Sequence, residues 1–70
     1  MTILQWLHEH EKKDVQYFDT IEVFSQGKGL LFSGSIKDFK TFGWRLLENE
    51  IVQKPYKFKT EGVNYIEMWI

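Results

Sequence analysis

Apolar residues recur at helical spacing in two stretches of the chain and alternate with polar residues in the rest. Ile3, Trp6, Leu7 and His10 fall on one side of a helix, which predicts a first helix over residues 3–13. Thr2 and Gln5 have the spacing of a capping box, in which hydroxyl and amide each satisfy a free backbone N–H. Lys12 and Lys13 suit the negative end of the helix dipole, and Asp14 begins the exit. A second stripe, Ile36, Phe39, Phe42, Gly43, Leu46 and Leu47, predicts a helix over residues 36–47. Ser35 is its cap, and Asp38 sits near its positive end. Glycine weakens a helix interior by about 1 kcal/mol relative to alanine. Gly43 on the buried stripe therefore signals close backbone packing or a division into two shorter helices.

Elsewhere the period falls to two. Ile21 and Val23 alternate with Thr20, Glu22 and Phe24, which predicts a strand over residues 17–25. The turn Gln26-Gly27-Lys28-Gly29 returns the chain into a strand over residues 30–33, and Gly34 and Ser35 end it. Two further strands, residues 51–60 and 63–70, flank a turn at Glu61-Gly62. Val52, Tyr56 and Phe58 share one face of the first. Ile66, Met68 and Ile70 share one face of the second, with Tyr65 and Trp69 on the other. Pro55 has no N–H to give a ladder, so its strand belongs at an edge or is bulged. The order is αββαββ. The expected fold is α+β, a mostly antiparallel four-stranded sheet with both helices on one face. The expected core includes Ile21, Val23, Phe39, Leu46, Phe58 and Ile66.

Length changes this picture first. A chain of 70 residues has room for one compact domain, residues 1–70. A domain of that size buries only about 60% of its unfolded surface, so packing must be good or a partner must help. Hydrophobic residues at 43% and aromatics at 17% meet the first need. Cysteine is absent, which removes disulfides and thiolate metal sites and fits a reducing, cytoplasmic setting. No apolar run approaches the roughly 20 residues of a membrane span, and the first residues lack the pattern of a signal peptide. Nine basic and ten acidic residues give a net charge of −1, unlike the strongly basic balance of duplex-DNA binders.

Chemistry is sparse. His8 and His10 point about 200° apart on a helix, so they do not form a chelating pair, and no cofactor or metal is expected. Ser25, Ser33 and Ser35 lack a nucleophile elbow, and Gly27-Lys28-Gly29 is too short for a phosphate loop, so no enzymatic activity is expected. Lys54, Lys57 and Lys59 interleave with Tyr56 and Phe58, a pattern suited to single-stranded nucleic acid. Lysines on an edge strand also prevent sheet-to-sheet aggregation. Trp44 lies off the second helix's stripe, and Tyr65 and Trp69 lie on the sheet face that two helices leave bare. Together they form the expected surface for a protein partner or self-association.

Residues 19–39, DTIEVFSQGKGLLFSGSIKDF, resemble small uncharacterised proteins of phages and mobile elements of Gram-positive bacteria. The matching positions are Ile21, Val23, Gly27, Lys28, Leu31, Gly34 and Asp38. The resemblance implies an accessory protein that binds a host protein, and by analogy an inhibitor of host defence. It carries no catalytic residues. The leading expectation is a non-enzymatic protein-binding module. The second is a nucleic-acid-binding accessory protein using Lys54, Lys57 and Lys59, and the third a metal-binding or catalytic protein using His8 and His10.

Overall fold

The computed structural model describes residues 1–10 and 20–70. Helix α1 covers Ile3–His10. Its N-terminus is closed by the reciprocal pair the sequence suggests. The Gln5 N–H donates to Thr2 Oγ1 at 3.1 Å, and the Thr2 N–H donates to Gln5 Oε1 at 2.8 Å. Ile3, Trp6 and Leu7 are its buried residues. The expected continuation to Lys13, the exit at Asp14 and the strand start at Tyr17 lie outside the described residues.

Strands β1 (Thr20–Ser25) and β2 (Gly29–Ser35) form an antiparallel hairpin. Gly29 takes φ 76°, a conformation glycine adopts without steric cost. Gly34 does not end β2. It pairs with Ile21, and the strand continues to Ser35. The register shifts between Val23 and Phe24, which leaves Leu31 as the extra residue of a bulge.

Helix α2 covers Ile36–Phe42, and Ser35 Oγ accepts the Asp38 N–H at 3.0 Å. The helix then stops. The Gly43 N–H donates to the Phe39 carbonyl at 2.8 Å, and a separate 3₁₀ turn occupies Trp44–Leu46. The single helix expected over residues 36–47 is thus two pieces. Phe42, at the break, is 75% exposed instead of buried, because at about 100° per residue it lies about 120° round the helix from buried Ile36.

The strand expected over residues 51–60 begins only at Tyr56: β3 is Tyr56–Thr60 and β4 is Val63–Trp69. Before Pro55 the backbone bonds elsewhere. The Ile51 N–H donates to the Met1 carbonyl and the Val52 N–H to the Trp69 carbonyl, each at 2.9 Å. The sheet order is β2-β1-β4-β3. The outer pairs are antiparallel, but the central pair β1–β4 is parallel, so the sheet is mixed and not mostly antiparallel. The physical reason lies in burial. β1 and β4 carry the buried side chains Ile21, Val23, Ile66 and Met68 and take the centre. The segment after β2 carries the chain to the far edge, and β4 then returns inward beside β1.

These strand residues join Ile3, Trp6 and Leu7 of α1 and Ile36 and Phe39 of α2 in one buried cluster. Phe32 packs edge-on against Phe39, with ring centroids 5.0 Å apart. Leu46 lies partly buried at the cluster's margin. Phe58, expected in the core, is outside it, because the β3–β4 register turns its ring to the opposite face. Among the described residues no helix is long and apolar enough to cross a membrane.

Candidate functional site

Register decides which side chains share a face. In β1 and β4, Ile21 lies beside Ile66 and Val23 beside Met68, and all four point to the helices. The alternate positions form the other face: Thr20 beside Tyr65, Glu22 beside Glu67, and Phe24 beside Trp69. The β3–β4 ladder extends this face, because Tyr56 pairs with Glu67 and Phe58 with Tyr65.

The result is an array of rings. Phe24 and Trp69 stack with centroids 5.0 Å apart. Phe58 stacks on Tyr65 at 5.1 Å with the planes 4° apart, and Tyr56 follows Phe58 at 5.6 Å. Tyr56 is 61% exposed, and Phe24, Phe58, Tyr65 and Trp69 are half-buried. The buried residues of both described helices lie on the opposite side of the sheet. The carboxylates of Glu22 and Glu67 lie between the two ring groups. Among the described residues neither makes an ion pair or a hydrogen bond.

Tyr65 and Trp69 therefore lie on one face, as expected. Phe24, Tyr56 and Phe58 join them, and the sequence reading did not include these three in the site. A signal for two of them was present. A two-residue turn at Glu61-Gly62 makes Thr60 the partner of Val63, which forces Phe58 opposite Tyr65. Trp44 stands apart. It belongs to the 3₁₀ turn after α2, is 57% exposed, and its ring meets Arg45 at 5.3 Å, not the sheet rings.

The lysines and rings of β3 do not form one surface. Lys57 pairs with Ile66 and Lys59 with Asn64, which places both lysines on the helix side, away from Tyr56 and Phe58. Lys57 Nζ lies 5.8 Å from the ring centroid of buried Trp6. Lys54 precedes the strand and lines a shallow cavity of about 280 Å³ with Trp6 and Pro55. His8 and His10 are also separated. His10 stacks on Trp6 at 4.3 Å, and its Nδ1–H donates to the Trp6 carbonyl at 2.9 Å. His8 borders a second cavity of about 270 Å³ with Leu4, Leu7, Lys40 and Leu47. Among the described residues no group of three metal-ligating side chains converges. No family model, curated protein or solved structure matches this chain.

Proposed function

We propose that this protein is a non-catalytic protein-binding module whose docking surface is the sheet face opposite the two described helices. The observation that carries the reading is the ring array itself. Five aromatic side chains on three adjacent strands remain accessible on one face, in stacked contact with one another. Both helices cover the other face, and large rings left in water regain free energy when a partner covers them. Tyrosine and tryptophan are the residue types that most often anchor such interfaces. Stacking between neighbours also holds the rings in place before binding, which lowers the entropy lost on association. The accompanying role is that of an accessory protein of a phage or mobile element acting on a host protein in the cytoplasm.

The nucleic-acid reading has less support. It needs lysines and stacking rings on one surface. Strand alternation sets Lys57 and Lys59 against Tyr56 and Phe58, and the ring face carries carboxylates instead.

Affinity capture from the source cell with the parent protein, and with a Tyr65→Ala, Trp69→Ser variant, tests the proposal. The expected result is one specific partner protein retained by the parent and lost by a folded variant. Equal retention by both would place the interface elsewhere.

A further inference from the structure

Glu22 and Glu67 are nearest neighbours across the parallel β1–β4 pair. Like charges at such positions repel and weaken the sheet. Within the described residues nothing neutralises them, and the open face of the described strands holds no lysine or arginine. The rings of Phe24 and Trp69 lie on one side of the pair, and those of Tyr56, Phe58 and Tyr65 on the other. Paired carboxylates bordered by aromatic faces are the complement of a guanidinium group. Carboxylate oxygens accept its N–H groups in pairs, and its planar cation stacks on a ring.

Building on the docking face proposed above, we infer that the occupant of this face is a segment of a foreign protein that presents arginine side chains, with the guanidinium seated on Glu22 and Glu67. A second copy of this chain fits poorly. A two-fold contact centred on the face sets the same patch against itself, so each carboxylate pair would meet its own copy. Charge complementarity therefore selects a basic partner over self-pairing.

The test is a titration of the isotopically labelled full chain with a peptide of alternating arginine and serine, followed by backbone amide shifts. A peptide of alternating glutamate and serine is the control. The expected shifts fall on Glu22, Phe24, Tyr65, Glu67 and Trp69, and they weaken as salt is raised. Glu22→Gln with Glu67→Gln, titrated at a concentration where sedimentation shows it monomeric, should reduce affinity about tenfold or more, as for lost charge-assisted hydrogen bonds. Glu22→Lys with Glu67→Lys should transfer the preference to the glutamate peptide, which excludes a merely structural effect. Dispersed amide spectra establish that each variant is folded. Shifts on this face that persist undiminished in the glutamine variant would overturn the arginine assignment and leave the docking face standing. Shifts elsewhere, or none at millimolar peptide, would also overturn it, and the Tyr65 and Trp69 capture experiment then judges the face alone.

Discussion

A methyl group on Gly43 would stand 2.4 Å from Cδ1 and 2.6 Å from Cε1 of Phe39. Phe39 is fully buried, and its carbonyl accepts the Gly43 N–H, so neither the ring nor the backbone can yield cheaply. Gly43 itself has φ −99°, which any residue adopts. The requirement for glycine here is therefore space and not backbone freedom. Gly43→Ala should destabilise the protein by about 1–3 kcal/mol, the range for overpacking a core. For the continuous helix that the sequence suggests, propensity alone predicts the opposite sign, a gain of about 1 kcal/mol. Urea denaturation of the two proteins decides between them, and an increased midpoint for the variant would show that the contact is slack.

Phe39 and Phe58 make a second discriminating pair. Phe39 is fully buried between helix and sheet, whereas Phe58 is half-buried on the open face. Phe39→Ala should cost about 3–5 kcal/mol, enough to unfold much of a domain this small. Phe58→Ala should cost clearly less, because solvent already reaches its ring. Comparable losses in chemical denaturation would mean that the ring face is an extension of the core and not a surface.

The parts of the fold legible in the sequence are those fixed by neighbours along the chain. Thr2 and Gln5 cap α1, Ser35 caps α2, and the turns at residues 26–29 and 61–62 close two hairpins. What was not legible depends on pairing between distant strands. Nothing local in Ile21 or Ile66 specifies that β1 and β4 lie side by side and parallel. The face of Phe58 is an intermediate case. Amphipathic reasoning turns Tyr56 and Phe58 inward and the lysines outward. The hairpin register reverses this, and the ammonium of Lys57 instead lies over the ring of Trp6. Two of the five rings of the candidate site, Tyr65 and Trp69, were visible in the sequence. Phe24 and Glu22 became part of it only through the parallel pairing.

The turn between β3 and β4 predicts a stabilising substitution. Glu61 has φ 50° and Gly62 φ 78°. Positive φ at both central residues is the pattern of a type I′ turn, which asparagine-glycine favours. A glutamate held there is strained relative to asparagine. Glu61→Asn should raise stability by about 0.5–1 kcal/mol, a fraction of the left-handed penalty. Thermal melts read it as a rise in midpoint. A fall would show that Glu61 makes a contribution outside the turn.

Lys57 separates the structural reading of β3 from the nucleic-acid reading. Its ammonium faces the Trp6 ring, a cation–π contact of about 0.5–1 kcal/mol. Lys57→Ala should therefore lower stability by roughly that amount, while Lys59→Ala stays within about 0.5 kcal/mol of the parent. Neither the parent nor the variants should bind single-stranded or duplex DNA appreciably at physiological salt. Fluorescence anisotropy with labelled oligonucleotides measures this. Tight binding that collapses with salt and is lost on replacing Lys54, Lys57 and Lys59 would restore the nucleic-acid function.

The same carboxylates that attract a basic partner should keep the open face from pairing with itself. The face has the composition of an interface core, with stacked aromatic rings at its centre. Two copies brought together about a two-fold axis would enclose Glu22 and Glu67 with their counterparts, and burying like charges without a counter-ion is strongly unfavourable. The parent protein should therefore sediment as a monomer at concentrations where exposed aromatic faces commonly associate. Glu22→Gln with Glu67→Gln removes the repulsion and leaves every ring in place. That variant should form dimers, seen in sedimentation equilibrium as a mass that rises with concentration. Adding Trp69→Ser should return it to a monomer. A parent that is already dimeric, with a dimer indifferent to Trp69→Ser, would show that these rings do not govern association and that another surface does.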